Sequence, residues 1–314
     1  MAGEASMRET YGKTLVELGK SNQDIVVLDA DLSSSTQTKF FAKEFPDRFF
    51  NCGIAEQNMI GIAAGLAASG KTAFASTFAV FASSRCFDQV RMSIAQPHQN
   101  VKIVATHGGV TVGEDGASHQ AIEDLSLMCA LPGFTVIVPA DAVETEQVIR
   151  YAASTMGPFY IRLPRLKSAV LYDEGYRFEI GKAATMRDGR DATIIAVGLM
   201  VERALKAADA LADEGIDARV LNMHTLKPLD EDAIVAAAAE TGAILTVEEH
   251  VRQGGLGSRT AQVVGESCPV PMSFINIEDC FSSSGQPEEL LEKHGLTAEN
   301  IVKETKKLVK RKSK

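Results

Sequence analysis

Short runs of aliphatic and β-branched residues alternate with longer stretches of helical periodicity through the first half of the chain. The predicted strands are 24–30, 72–77, 101–106, 134–139 and 158–163. The predicted helices are 4–21, 36–44, 56–69, 79–95, 119–130 and 142–155. Because parallel strands need crossover helices, this alternation predicts an α/β fold with a parallel sheet covered by helices on both faces.

The regular repeat weakens over residues 166–190, where charged residues and glycines are frequent. A second alternation then begins, with predicted strands and helices listed here in chain order: 192–198, 201–214, 218–223, 230–241, 242–249 and 272–277. The length of 314 residues suits about two domains. We therefore predict two α/β domains at 1–165 and 191–314, joined by a linker at 166–190.

The composition, 45% hydrophobic and 23% charged, is that of an ordinary globular protein. The net charge of -9 argues against nucleic acid or an anionic membrane as a partner, although the final segment KETKKLVKRKSK is basic and predicts a solvated helix end. We find neither a leader pattern nor an apolar run of about 20 residues, so we expect a cytoplasmic protein without a membrane span. The scattered cysteines favour reduced thiols and no metal site: Cys52, Cys86, Cys129, Cys268 and Cys280.

Glu56 places a carboxylate at the start of the apolar stretch that follows NCGIAEQNM. A carboxylate in such a setting usually finds a partner or holds a proton, or it is simply an acid in the first turn of a helix. Shortly after, STFAVFASS sets Phe78 and Phe81 three residues apart on one helix face. That spacing is typical of a core stripe.

Two further segments carry side chains suited to chemistry. The glycine-rich loop HGGVTVGEDGAS follows a predicted strand, and its region holds His107, Glu114, Asp115 and His119; it predicts either a site at the sheet edge or a polar surface loop. In IRLPR, Arg162 and Arg165 could bind a phosphate or end a strand in solvent. The segment GGLGSRTAQ lacks the full dinucleotide spacing and predicts a turn before a helix.

Taken in order, GIAEQNM, STFAVF, ATHGGVTVGEDGASHQAIEDL, VIVPAD and IRLPR resemble the transketolase family of thiamine diphosphate enzymes. The similarity extends to DCFSSSGQPEELLEKHGL near the end of the chain. It implies a parallel-sheet domain that binds the pyrimidine end of the cofactor, followed by a smaller α/β transketolase C-terminal domain. Related alternatives are 1-deoxyxylulose-5-phosphate synthase and a 2-oxo-acid dehydrogenase beta subunit. A non-catalytic, flavodoxin-like binding module is the alternative from another class.

The resemblance also implies roles for individual residues. Glu56 would exchange a proton with the pyrimidine ring, and Phe78 and Phe81 would stack on that ring. His119 would bind substrate oxygens near the reacting carbon, so Glu56 and His119 are the catalytic candidates. The implied substrate-binding residues, several of them for a sugar phosphate, are Arg8, Asp31, Ser35, His107, Asp115, His119 and Arg165.

The sequence departs from the family pattern in two respects. Ser84 stands where many transketolases have a further aromatic residue, and the GDG motif that binds diphosphate and Mg²⁺ is not found in the sequence. The resemblance therefore implies the C-terminal subunit of a split transketolase, active only with a separate N-terminal subunit that holds Mg²⁺. The expected reaction transfers a two-carbon ketol unit between sugar phosphates of pentose phosphate metabolism, in a self-associating heterotetramer.

Overall fold

A computed structural model of the chain describes residues 2–312, which form two α/β units. The strands are β1 Ala2–Ala5, β2 Ile25–Asp29, β3 Phe49–Asn51, β4 Thr72–Phe78, β5 Val101–Thr106, β6 Thr135–Ile137, β7 Phe159–Arg162, β8 Ser168–Val170, β9 Ala184–Arg187, β10 Ala192–Ala196, β11 Ala218–Asn222, β12 Thr225–Lys227, β13 Ile244–Val251 and β14 Met272–Ile277. The α-helices are α1 Met7–Ser21, α2 Ser33–Thr36, α3 Lys39–Glu44, α4 Glu56–Ala68, α5 Phe87–Gln89, α6 Asp124–Ala130, α7 Ala142–Ser154, α8 Met200–Asp213, α9 Glu231–Thr241, α10 Leu256–Ser267, α11 Pro287–Lys293 and α12 Ala298–Lys312.

The first sheet has the strand order β12-β6-β7-β5-β4-β2-β3. Its strands pair in parallel except β12, which is antiparallel and comes from the second half of the chain. Every residue of β2, β4, β5 and β7 is buried, as expected for strands covered on both faces. The predicted α/β fold with a parallel-rich sheet is confirmed.

The second sheet has the order β14-β13-β10-β11-β9, in which only β9 pairs antiparallel among the described strands. Helices α8 and α12 pack on each other, and so do α9 and α10. One hydrophobic cluster includes Val138 of the first unit together with Ile195, Val197 and Leu221 of the second. The two units therefore share a continuous core where their sheet edges meet.

Local structure differs from the predicted elements in several places. Helix α1 begins at Met7 because Ser6 caps it, and the preceding residues form β1, which pairs with β8 inside the predicted linker. Strand β9 also lies in that linker. The stretch predicted as the helix 79–95 contains two π-helical segments, Phe81–Arg85 and Val90–Ala95. Elements of a few residues and π turns depend on tertiary contacts, which periodicity does not encode.

Two further predictions concern the basic final segment and the membrane span. The basic segment at 303–314 lies on α12 up to Lys312, and its last two residues lie outside the described part. Buried Ile301 and Leu308 attach the apolar face of α12 to the second unit. Among residues 2–312, no helix is both long and apolar enough to cross a membrane.

Candidate active site

The candidate side chains lie where the central strands of the first sheet end. Strands β2, β4, β5 and β7 are parallel, so their carboxyl ends meet at one edge. The loops and helices that follow them carry most of the residues singled out in the sequence. In open α/β sheets this edge is the usual place for a ligand. These side chains are therefore placed along one edge of the sheet.

Glu56 is the first residue of α4, and only 4% of its side chain is exposed. Its two carboxylate oxygens accept hydrogen bonds from Nη1 of Arg85 at 3.1 and 3.3 Å. The same guanidinium lies over the ring of Phe81, 4.0 Å from the ring centroid. Of the two outcomes expected for a buried carboxylate, the structure therefore gives a cationic partner. The start of a helix stabilises the negative charge as well.

Four rings form an aromatic cluster beside this pair. Phe78 and Phe81 are stacked with their centroids 5.7 Å apart and an angle of 15° between planes. The imidazole of His107 stacks on Phe78 at 3.8 Å, and His119 meets the edge of Phe81 at 5.3 Å. Phe78 and Phe81 are thus buried but contact the two histidines rather than only the core.

His107 adopts a left-handed backbone conformation with φ of 60°, which is uncommon for a residue other than glycine. Its Nδ1 lies 2.8 Å from the hydroxyl of Thr106. Burial, followed by the nearby charges of Arg8 and Arg165, lowers the pKa of His107 to about 3. The imidazole is therefore neutral near pH 7 and can act as a hydrogen-bonding group but not as a cation.

Arg8 and Arg165 lie together near His107. Arg8 donates hydrogen bonds to the backbone oxygens of Ser35 at 2.6 Å and Arg165 at 2.8 Å, and Arg165 donates to the backbone oxygen of Val112. Burial and the charge of Arg165 lower the pKa of Arg8. The Arg8 guanidinium therefore lies against the backbone of Arg165 and within reach of its charge, an arrangement that favours a nearby anion.

The segment that carries Asp31 and Ser35 is organised by Asp29, which the sequence reasoning did not single out. The fully buried Asp29 carboxylate accepts hydrogen bonds from the backbone of Leu32 at 2.5 Å and from the hydroxyls of Thr36 and Thr38 at 2.7 and 2.9 Å. Burial raises the pKa of Asp29, while these donors oppose that change. Asp29 therefore fixes the turn in which Ser35 approaches Arg8.

Asp31 and Asp115 lie outside the contacts that join the other candidate residues. Asp31 has φ of 63° and exchanges hydrogen bonds with Asn51, each at 3.1 Å. Asp115 is exposed at the end of the turn Val110–Asp115. Within residues 2–312 neither side chain hydrogen-bonds to another candidate residue.

The side chain of Arg162 neither extends into solvent nor lies at an open site where a phosphate could bind. It is buried, its Nε lies 3.2 Å from the carboxylate of Asp124, and Nη2 donates to the backbone oxygens of Ala121 and Glu249. A Cβ on Gly108 would lie 2.1 Å from this Nε, so the loop approaches Arg162 only because residue 108 is glycine. Both the phosphate and the solvent interpretations of Arg162 were wrong, because strand β7 directs its side chain into the junction of the two units.

Two further residues, besides Asp29, gave no sequence signal. Arg85 directly follows the aromatic segment, but its partner Glu56 lies 29 residues earlier. Glu249 comes from the second unit, and its carboxylate accepts a hydrogen bond at 2.6 Å from the backbone of Thr111 in the glycine-rich loop. Both contacts join distant parts of the chain, which local patterns cannot reveal.

The arrangement around Glu56 suits a planar ligand with nitrogen donors. The guanidinium of Arg85 is itself planar, and it stacks on Phe81 while donating to Glu56. One flat group can therefore reach the ring face and the carboxylate at the same time, as an aminopyrimidine would need to do. Among the described residues, no cluster of three or more His, Cys, Asp or Glu side chains is placed to hold a metal ion.

Comparisons with known proteins place both halves of the chain in one family. Residues 3–169 match the transketolase pyrimidine-binding domain, and residues 181–301 match the transketolase C-terminal domain. A putative transketolase C-terminal section from Methanocaldococcus jannaschii is 50% identical over 300 residues, which cover 95% of this chain and 94% of that protein. A 6-deoxy-6-sulfo-D-fructose transketolase subunit from a Clostridium species is 43% identical, covering 98% of this chain and 95% of that protein.

One solved structure matches nearly the whole chain. It is described as a split gene transketolase, inactive beta4 tetramer, and it superposes with a TM-score of 0.91 at 51% identity, covering 97% of this chain and 98% of that chain. Longer relatives are matched over about half of their length.

Proposed function

This chain belongs to the transketolase family, and from that premise we propose that it is the C-terminal subunit of a split transketolase. Relatives of the same length that are named a transketolase C-terminal section or a transketolase subunit support this function over the synthase, dehydrogenase and non-catalytic alternatives. The reaction would be transfer of a two-carbon ketol unit from a ketose phosphate to an aldose phosphate in carbohydrate metabolism, including pentose phosphates.

The observation that carries the proposal is the continuity of the site from Glu56 to Arg165. The carboxylate, the ring of Phe81, the two histidines and the arginine pair follow one another along a single sheet edge. In this proposal Glu56 and the two phenylalanines hold the pyrimidine of thiamine diphosphate. When bound, this cofactor supplies the carbon nucleophile that accepts the two-carbon unit.

The remaining residues would hold the sugar. His119 is partly exposed beside Phe81, so it could donate to substrate oxygens near the reacting carbon. Neutral His107 would donate or accept a hydrogen bond in the same channel. Arg8, Ser35 and Arg165 would bind the phosphate, and the exposed Asp115 a hydroxyl group nearer the entrance. Asp31 would also contact the sugar, and its carboxylate accepts a hydrogen bond from the side chain of Asn51.

The proposal includes a second polypeptide. It would carry the residues for the diphosphate and Mg²⁺ and would assemble with this chain as a heterotetramer. Beta chains of the similar split-gene protein associate without activity, according to the description of that structure. A cytoplasmic location is also proposed, since the five cysteines are unpaired thiols.

We propose the domain division 1–165, 166–190 and 191–314 as the functional one. Two separate sheets support it, although β12 of the second unit joins the first sheet and β8 and β9 lie within the linker. Residues 191–314 would then position the substrate loop through Glu249, which binds the backbone of Thr111.

Ketol transfer by mixed and separate subunits tests the proposal. The purified chain is mixed with its N-terminal subunit, thiamine diphosphate and Mg²⁺, and transfer from xylulose 5-phosphate to ribose 5-phosphate is followed. We expect turnover only in the mixture. Full turnover by this chain alone would overturn the two-subunit function, and none in a verified complex would overturn the assigned reaction.

A further inference from the structure

Arg85 makes two contacts that the roles of its neighbours do not explain. Its Nη1 lies 3.1 Å from one oxygen of Glu56, and its guanidinium covers the face of Phe81 at 4.0 Å. The Arg85 side chain is 50% exposed, whereas that of Glu56 is 4% exposed. A half-exposed cation is thus bound to a buried anion and a buried ring.

The backbone beneath Arg85 is held in place, while its side chain has room to move. Arg85 ends the π-helical segment Phe81–Arg85, and its carbonyl accepts a hydrogen bond at 2.9 Å from the side chain of Gln57 on α4. Its side chain lines an open concavity of about 380 Å³, together with Glu56, Gln57 and Asn58. Side-chain rotation could therefore release Glu56 without moving the backbone.

The contacts of Arg85 coincide with those required of the cofactor. On the proposed function, the pyrimidine ring needs the Glu56 carboxylate and an accessible face of Phe81. The guanidinium binds that carboxylate and covers that face at once. A ring that stacks where the guanidinium now lies cannot be bound at the same time.

We propose that Arg85 is a displaceable latch, which binds Glu56 and Phe81 until the pyrimidine of the cofactor takes over both contacts. This inference rests on the proposed function. It makes Arg85 a competitor of the cofactor, although a cation beside a cofactor site is more readily assigned to phosphate binding. It also explains how a subunit that awaits its partner keeps a buried carboxylate paired.

The size of the effect follows from the two contacts that the cofactor must replace. A half-exposed ion pair and a cation stacked on an aromatic ring are each modest interactions. Together they correspond to a competition factor of about 5- to 30-fold in the dissociation constant. Arg85→Ala should therefore tighten thiamine diphosphate binding to the assembled complex by about that factor.

Calorimetric titration of the complex with thiamine diphosphate, at saturating Mg²⁺, measures this directly. Arg85→Lys keeps the charge without the planar group, so its dissociation constant should lie between those of the wild type and Arg85→Ala. Arg91→Ala is the matched control, because Arg91 is exposed on the same helical stretch and its guanidinium contacts Met92 rather than Glu56. We expect Arg91→Ala to bind as the wild type does.

Two further readouts separate a latch from a structural role. In a Glu56→Gln background the tightening produced by Arg85→Ala should shrink, because the ion pair is already lost. A structure of the loaded complex should show the Arg85 guanidinium away from Glu56. Cofactor binding that is unchanged or weaker in Arg85→Ala would overturn the latch while leaving the proposed function intact. A verified complex that binds no thiamine diphosphate would overturn the proposed function, and the latch with it.

Discussion

At the carboxyl edge of the first sheet, chemically active side chains lie next to partly exposed ones: Glu56 beside Arg85, and Phe81 beside His119. At the corresponding edge of the second sheet the polar residues Asn222, His224, Glu248 and Glu249 are all buried. Asn222 donates to Glu144 at 3.0 Å, and Glu249 accepts from the backbone of Thr111. Two sheets of similar architecture thus use the same edge differently, one for a candidate site and one for contact between the units.

The comparison shows why the fold alone does not indicate the function of each unit. In the second unit the carboxylates are satisfied by groups within the chain; Glu248, for example, accepts from the backbone of Leu256 and Gly257 at the start of α10. In the first unit Glu56 is paired with a half-exposed side chain, that of Arg85. Open α/β sheets favour a ligand at this edge, but the side chains decide whether it is used.

The largest expected effect concerns the candidate site at the edge of the first sheet. Glu56→Gln keeps the shape of the side chain but removes its capacity to exchange a proton with the cofactor. We expect turnover of the assembled complex to fall by about 10²- to 10⁴-fold, with complex formation unchanged. Steady-state kinetics and analytical ultracentrifugation would measure the two. Glu44→Gln, on the exposed side of α3, should keep full activity, and near-normal turnover of Glu56→Gln would reduce Glu56 to a helix-end acid.

The second prediction concerns the buried polar groups that join the two units. Arg162→Ala would leave the buried carboxylate of Asp124 without its cation, and losing one partner of a buried pair typically lowers the free energy of unfolding by about 3–5 kcal/mol. Urea unfolding would measure this. The matched control is Arg252→Ala, which removes an exposed pair with Glu278 and should change the free energy of unfolding by less than about 1 kcal/mol. Equal effects of the two variants would contradict a structural role for Arg162.

The third prediction concerns the residues of the candidate site that would bind the substrate. If Arg165 binds the sugar phosphate, Arg165→Ala should raise KM for ribose 5-phosphate by about 10- to 100-fold, because a charge-assisted hydrogen bond is lost. KM for free ribose should hardly change. Lys167→Ala, two residues further on and exposed, serves as the control. An equal loss on both sugars would instead indicate that Arg165 is structural.

The last prediction concerns the pH dependence of the buried polar groups between the two units. Burial raises the pKa of Glu144 to about 7, although Tyr176, Ala140 and Asn222 donate hydrogen bonds to it. The folded protein therefore binds a proton more tightly than the unfolded chain, so this contribution to stability is present below about pH 4.5 and is lost as the pH rises through 7.

Glu144→Gln should remove that trend, changing the slope of unfolding free energy against pH by at most about 1.4 kcal/mol per pH unit between pH 5 and 7. Denaturant unfolding at several pH values would measure the slope. Glu146→Gln, two residues further along α7 and exposed, should leave it unaltered. An identical slope for the wild type and Glu144→Gln would show that Glu144 does not titrate in this range.

The parts of the molecule that sequence could predict are those governed by local periodicity. Buried strands such as β2 and β5 are mostly apolar, with Asp29 ending the first and Lys102 within the second, so the α/β fold followed from their alternation with helical periodicity. Strand β12 has only three residues, and its pairing with β6 exists only once the units meet. Likewise, the sequence placed Glu56 at the start of a helix but could not show that Arg85 would bind it.

Arg162 illustrates the same limit within the site. Arg162 and Arg165 are three residues apart and looked equivalent in the sequence, yet one is buried against Asp124 and the other lies beside Arg8. The difference arises because Arg162 is still on β7, between the two units, whereas Arg165 follows the end of that strand. Strand direction and the packing of the second unit, rather than residue type, separate their roles.

The central claim is that this chain supplies the pyrimidine side of a cofactor site completed by another subunit. Calorimetric titration of thiamine diphosphate with Mg²⁺ into this chain, the N-terminal subunit and their mixture tests it most directly. The account predicts tight binding only by the mixture, with one cofactor for each copy of this chain. Binding of equal affinity by the N-terminal subunit alone would contradict it, because Glu56 and Phe81 would then contribute nothing to the site.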